Sequence, residues 1–340
     1  MSPENLLIVI PTRNRPDFLE RCVRSIFESQ ANIPTVIVSD NSTIPSAGID
    51  ALKRRYPLRY IRQSGNLSAT EHFNACFRLQ PSKWLWMIHD DDELMPGSIQ
   101  DLRSFVDFSS DVGIVAGGVD NIGPEGELLH RWVPKHTGSY RGEEGLLRLG
   151  LDFCLFSPNT VFNVEATRAV GGFVEINGYP ADYTLCVRLA HSSGVAFWSG
   201  IVGRCRHGPH QDSDYSTPAK AEAWLALTVR MAEEVCRTTG CSVSAAERLI
   251  DYRTWSVFWI IVRWLDSDPS FVFRVCQKYM RQSPPYGKWR KRVSESHPFL
   301  FSKLGWYLWC QKNSLKAVLP APVIEWLRTA RQSLQEQDNK

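Results

Sequence analysis

Apolar positions in the first 120 residues fall into short β-rich runs separated by stretches of helical spacing. Leu6–Ile10 is a continuous apolar run closed by Pro11 and reads as a buried strand. Asp17–Ser29 then sets Phe18, Cys22 and Ile26 on one face of a helix. The alternation continues with strands at Thr35–Ser39, Leu58–Ile61 and Trp84–Ile88, and with helices at Ile49–Arg55 and Ala69–Leu79. Pro96 is expected to open a helix reaching Phe108, because proline suits the first helical turn. Val112–Val119 reads as a fifth strand. Strands alternating with helices imply parallel pairing through right-handed crossovers, and so a three-layer α/β domain.

Beyond Val119 the period changes. Gly123-Pro124-Glu125-Gly126 reads as a turn between two strands. Ser157–Val164, a helix from Pro180 to His191 and the strand Val195–Trp198 complete a domain expected to span residues 1–216. From Thr217 the β signal vanishes. Ala219–Thr238, Ser244–Leu265, Ser270–Arg281, Phe299–Lys312 and Pro322–Gln335 all read as helices, giving a helical accessory region at 217–340.

Composition narrows the class. The chain has 340 residues, 43% hydrophobic and 22% charged, as a globular protein with one large domain and an accessory region would. A net charge of +3 offers no general attraction to nucleic acid. The nine cysteines form no CxxC pair, which suggests reduced, buried thiols in a cytoplasmic protein. The apolar run at the start of the sequence is too short for a signal peptide and has no basic segment before it. The longest later run, Val257–Val262, is interrupted by Arg263, so no membrane span is expected.

In an open parallel sheet, ligands bind beyond the carboxyl ends of the strands. There the sequence places Pro11, Thr12, Arg13, Asn14 and Arg15 after strand one, and Asp40, Asn41 and Ser42 after strand two. Gly65 and Asn66 follow strand three, and His89, Asp90, Asp91 and Asp92 follow strand four. Adjacent carboxylates repel and raise one another's pKa unless a cation joins them. Mg²⁺ or Mn²⁺ would do so while bridging diphosphate oxygens. The blander reading is an acidic turn ahead of a helix N-terminus, favoured by the helix dipole. The Walker motif, GxGxxG and GxSxG are all absent, which counts against kinases, dehydrogenases and α/β-hydrolases.

VIPTRNRPDFLERCVRSI, VIVSDNS, MIHDDDELMPGSI and GGFVEINGYPADYTLCVRLA, in this order, resemble family 2 glycosyltransferases of the GT-A fold over roughly residues 5 to 215. The resemblance implies a nucleoside-diphosphate sugar donor (UDP, GDP or dTDP type), a glycan or lipid-linked acceptor, and a role in bacterial surface polysaccharide such as O-antigen. It implies that Pro11, Thr12, Arg13 and Arg15 line the nucleotide pocket, that Asp40 contacts the base, and that Asn66 belongs to the donor site. The IHDDDELMP run matches the family's DxD region in two registers. His89 takes the first acidic position and Asp91 binds metal, or Asp90 contacts ribose and Asp92 binds metal; Asp91 is the favoured ligand. Asp182 matches the catalytic base of inverting members, although Ala181 stands where an acid usually precedes it. Its blander role is to cap the helix that follows. His207 and His210 are candidates to complete the metal site. Ser68 and Phe73 depart from the family's usual glycine and arginine.

From Pro269 to Ile324 ten basic residues stand against the single acid Glu295, interleaved with Trp289, Trp306, Tyr307 and Trp309. That pattern suits an anionic membrane surface at the inner face of the cell membrane, or a solvated helical layer packed on the catalytic domain. Two other functions stay open: a sugar-1-phosphate nucleotidyltransferase, whose glycine-rich loop is missing here, and a non-catalytic binding module of glycosyltransferase type.

Overall fold

The computed structural model describes residues 5–28, 31–44, 48–108, 111–151, 157–176, 179–180, 182–208 and 217–250, together with 268, 271, 274 and 275. The chain divides into two compact units, Met1–Asp214 with Ala226–Arg253 and Tyr215–Leu225 with Thr254–Lys340. The sheet and all the candidate residues discussed below belong to the first.

The chain order is β1 (Leu6–Thr12), α1 (Pro16–Phe27), β2 (Thr35–Asp40), α2 (Ile49–Arg55), β3 (Arg59–Arg62), α3 (Ala69–Cys76), β4 (Trp84–Met87), β5 (Glu93–Leu94) and α4 (Ser98–Phe108). There follow β6 (Ile114–Ile122), β7 (Leu128–Trp132), β8 (Gly138–Tyr140), α5 (Gly142–Leu151), β9 (Thr160–Asn163), α6 (Val164–Ala169), the hairpin of β10 (Glu175–Ile176) and β11 (Tyr179–Pro180), α7 (Asp182–Ser192), β12 (Val195–Arg206) and α8 (Pro218–Thr239). The main sheet runs β3-β2-β1-β4-β9-β6-β12-β5, with β7 on β6 and β8 on β12. Every residue of β1 is buried, as expected of a strand covered on both faces. Leu6, Ile8 and Ile10 pack with Leu19, Cys22, Val23 and Ile26 of α1 in the main core.

The expected all-parallel sheet is half right. β3, β2, β1 and β4 pair in parallel. β9, however, lies antiparallel between β4 and β6. A short apolar run such as Thr160–Asn163 carries no mark of its own direction, and Ser157–Asn159, expected to be part of that strand, forms a 3₁₀ turn instead. Two antiparallel steps restore the direction, and β12 is parallel to β6. The carboxyl ends of β1, β2, β4, β6 and β12 therefore share one edge.

Three boundary differences bear on the site. β1 continues through Pro11 to Thr12. The ladder to β4 ends at Val9 and Met87, and Pro11, two residues on, faces that same side, where its missing N–H breaks no bond. α4 begins at Ser98, with Gly97 at φ +78° in the turn after Pro96, so the acidic run lies well ahead of that helix and is followed by β5. β12 runs past Trp198 to Arg206 through irregular pairing around Ile201. At Gly203 a Cβ would come within 2.5 Å of Pro158 Cβ and 2.9 Å of the Glu93 carbonyl oxygen. Glycine there lets β5 and the Ser157–Asn159 turn close onto β12.

The turn at 123–126 does connect β6 and β7 as an antiparallel hairpin. α8 matches the helix expected at Ala219–Thr238, and residues 243–250 are helical. The helices expected at 270–281, 299–312 and 322–335 and the basic, aromatic stretch fall almost wholly outside the described residues. Cys22, Cys76, Cys186, Cys205, Cys236 and Cys241 are free thiols. Among the described residues no helix is long and apolar enough to cross a membrane.

Candidate nucleotide and metal site

The acidic run sits where β4 leaves the sheet, and all three aspartates are buried: Asp90 at 4% exposure, Asp91 at 8% and Asp92 at 2%. One ligand atom each from His89, Asp91 and Asp92 can lie within 4.8 Å of the others. The Asp91 reading of the motif thus acquires His89 as a candidate nitrogen donor beside two carboxylates. The imidazole is steadied by Phe73 of α3, whose ring stacks on it at 5.2 Å between centroids and 12° between planes. The substitution of phenylalanine for the family's arginine has this structural correlate.

Each aspartate has its own fixing partner. The Thr12 hydroxyl donates to Asp90 Oδ2 at 2.7 Å, while Arg15 Nη1 lies 3.5 Å from Asp90 Oδ1 and 3.4 Å from Asp91 Oδ2. The backbone N–H of Arg206 donates to Asp92 Oδ1 at 3.0 Å. Ser157 accepts the His89 backbone N–H at 2.6 Å and hydrogen-bonds Asp92. Burial pushes the Asp90 carboxyl up to about 6, the Thr12 hydrogen bond opposing and the Asp91 charge adding to the rise. Burial and the Asp91 charge likewise raise Asp92 well above the ordinary carboxylate range. A divalent cation among these oxygens would remove that penalty, and an Asp/Asp/His donor set suits such an ion.

Arg206 is the member of the site that sequence reasoning overlooked. Its side chain is 4% exposed, and its guanidinium donates to the Asp91 carbonyl at 3.3 Å and to the carbonyls of Gly123 and Pro124 at 3.2 and 2.9 Å. It also pairs with Glu93. The buried cation fastens the acidic loop, β5 and the 123–126 turn to the end of β12. Ser157, expected in a strand, was the other omission. The second arginine of RCRHGPH was the available signal, but nothing local says which carbonyls such a residue will meet.

On the β2 side, Asp40 is fully buried. Its Oδ1 accepts the Ser42 backbone N–H at 2.8 Å and its Oδ2 the Tyr60 hydroxyl at 2.7 Å. Burial and this bond push the Tyr60 phenol up to about 12. Asn41 pins the following loop by donating to the Leu67 carbonyl at 2.9 Å and accepting the Leu67 N–H at 3.2 Å. Asn66 in that loop is exposed and accepts from Ser64. Ser68, the departure from glycine, caps α3. Its hydroxyl accepts the Glu71 N–H and its own N–H donates to the Glu71 carboxylate, forming a capping box.

The remaining candidates are more scattered. Pro11 and Thr12 are buried, Thr12 in contact with Asp90, and Arg13 is exposed. Asp182 is the exposed first residue of α7, and its carboxylate accepts the N–H of the next residue, Tyr183, at 2.7 Å. His207 follows β12, and its Nε2 lies 2.7 Å from Asn121 Oδ1 at the end of β6. His210 and Ala181 lie outside the described residues.

Residues 7–171 match the sequence model for glycosyl transferase family 2. This stretch belongs to that family. Two curated relatives align over part of their length: an uncharacterized Mycobacterium tuberculosis protein, MT1568, at 33% identity over 102 residues, and the Salmonella typhimurium abequosyltransferase RfbV at 31% over 109 residues. These alignments cover 29% and 30% of the chain, and the chain spans about a third of each relative's length, 32% and 33%. Among solved structures, S. aureus TarS 1-349 in complex with UDP-GlcNAc superposes with a TM-score of 0.62 at 14% identity, over 98% of this chain and 92% of that one. At such identity the likeness speaks to architecture alone, and that architecture is the GT-A fold.

Proposed function

We propose that the chain is a glycosyltransferase that moves a sugar from a nucleoside-diphosphate sugar to a hydroxyl of a glycan or lipid-linked acceptor, with inversion at the anomeric carbon. The observation that carries the reading is the grouping of His89, Asp91 and Asp92 within 4.8 Å at the shared carboxyl edge of the sheet. Those residues would hold Mg²⁺ or Mn²⁺. Such an ion neutralises charge gathering on the departing diphosphate.

The chain's own residues supply the rest. Thr12 and Arg206 hold the carboxylates in place before substrate arrives. The β1–α1 loop with Arg13 and Arg15, the Asp40 loop and Asn66 form the nucleotide side of the edge. Asp182 takes the proton from the acceptor hydroxyl as it attacks, a contribution of about 10²–10⁴-fold in rate. His207, and His210 beyond the described residues, stand by as further polar contacts to the diphosphate or metal. Residues 1–216 act as the catalytic domain and 217–340 as a helical region that docks at an anionic membrane surface. A place in surface-polysaccharide assembly, such as O-antigen, accords with an abequosyltransferase among the relatives.

The test is calorimetric titration with UDP, GDP and dTDP, each with and without Mn²⁺, followed by turnover with the sugar forms of whichever nucleotide binds. Metal-dependent binding and transfer with inversion, seen by NMR of the anomeric proton, are expected. Binding without turnover would instead favour a non-catalytic module, and absence of binding by all three would remove the donor assignment.

A further inference from the structure

Arg15 stands at the head of α1, in the N-cap position, where its side chain turns towards the acidic run rather than capping the helix. Its Nη1 lies 3.5 Å from Asp90 Oδ1 and 3.4 Å from Asp91 Oδ2. Tight charge-assisted hydrogen bonds measure about 2.7–2.9 Å, so the two that this guanidinium nitrogen makes to the carboxylates are long. Its side chain is 32% exposed, whereas those of Asp90 and Asp91 are 5% and 8% exposed. The other fixing contacts are of a different kind. Thr12 is neutral and meets Asp90 on the other oxygen, while Arg206 donates its guanidinium to the Asp91 carbonyl and its backbone N–H to Asp92.

Asp91 Oδ2 thus accepts from a cationic side chain that reaches solvent, and Asp91 also belongs to the His89, Asp91, Asp92 group. Two cations cannot share one carboxylate oxygen without mutual repulsion. We infer that Arg15 is an internal counter-ion of the metal site, which gives up Asp91 when a divalent cation enters and turns its guanidinium to the diphosphate. Cation and nucleotide then bind co-operatively, because the diphosphate rewards the released arginine and the released arginine leaves a carboxylate for the cation. Arg15 is on this account a positioning residue that makes the site prefer the pair to either alone, and the inference rests on the metal-dependent donor binding proposed above.

The experiment measures Mn²⁺ affinity of the full chain by electron paramagnetic resonance of free Mn²⁺, with and without saturating UDP, GDP or dTDP, in wild type, Arg15→Gln and Arg15→Lys. In wild type, whichever nucleotide binds is expected to tighten Mn²⁺ by about tenfold or more. Arg15→Gln is expected to bind Mn²⁺ alone about tenfold more tightly than wild type, with the nucleotide enhancement cut to about threefold or less. Arg15→Lys retains the charge and is expected to behave as wild type does, which separates the counter-ion role from general damage to the loop. Equal or weaker Mn²⁺ binding by folded Arg15→Gln, with nucleotide enhancement intact, overturns the inference while leaving the donor assignment standing. Failure of all three proteins to bind Mn²⁺ under any condition overturns both.

Discussion

The acidic loop after β4 is held from two flanks, and they are built differently. On the β12 flank, Arg206 is 4% exposed and its guanidinium is spent on backbone carbonyls and Glu93. On the β1 flank, Arg15 is 32% exposed and touches its carboxylates at 3.4 and 3.5 Å. One arginine is buried among its partners and the other reaches solvent. The contrast sets a buried, carbonyl-bonded clamp on one flank against a partly exposed ion pair on the other. Residue type alone says nothing of this: both are arginines within a few ångströms of the same aspartates.

The strongest way to break the comparison is to remove each arginine in turn. Arg206→Met is expected to cost about 3–5 kcal/mol of folding stability, since it strands Glu93 and several carbonyls in a buried setting. Arg15→Met is expected to cost less, about 1–2 kcal/mol, because the arginine reaches solvent even though Asp90 and Asp91 are buried. Urea unfolding followed by circular dichroism measures both, and equal costs would collapse the distinction between the two arginines.

A smaller effect is expected on the β2 side, away from both arginines. His72 of α3 is buried, and its Nε2 lies 2.9 Å from the Ser39 hydroxyl beneath the nucleotide edge. Burial pulls its imidazole down to about 4, despite the opposing Ser39 and Asp40 contributions. The unfolded chain binds this proton below about pH 6.5 and the folded chain only below about 4, so stability is lost as pH falls through that window. The loss amounts to at most about 3 kcal/mol, at 1.36 kcal/mol per unit. Comparing unfolding of wild type and His72→Gln between pH 7 and 4 is expected to show a shallower decline in the variant. Parallel declines would mean that His72 protonates in place without strain.

Much of the first half of this molecule could be read directly from its residues. β1, α1, β2 and α2 follow from local apolar spacing, and α2 occupies the very residues expected, Ile49–Arg55. The placing of Asp40 and the aspartate run at strand ends follows from the same alternation. The second half resisted because its geometry depends on distant partners. β9 runs antiparallel for reasons absent from Thr160–Asn163 itself, and Gly203 matters only because Pro158 and Glu93 approach it. Arg206 went unnoticed beside two histidines, since its partners Glu93 and Asp91 lie 113 and 115 positions away. His89 could be read as occupying an acid's place, but not as a donor beside Asp91 and Asp92 until Phe73 and Ser157 fixed its surroundings.

On the reading proposed above, a divalent cation between His89, Asp91 and Asp92 holds a nucleoside diphosphate at this edge. Crystals grown with Mn²⁺ and the nucleotide that binds in solution would test it directly through the anomalous signal of manganese. A single strong peak within bonding distance of all three side chains is expected, lost in Asp91→Ala crystals that still show the same fold. A peak elsewhere, or a bound nucleotide with no manganese at this edge, would contradict it.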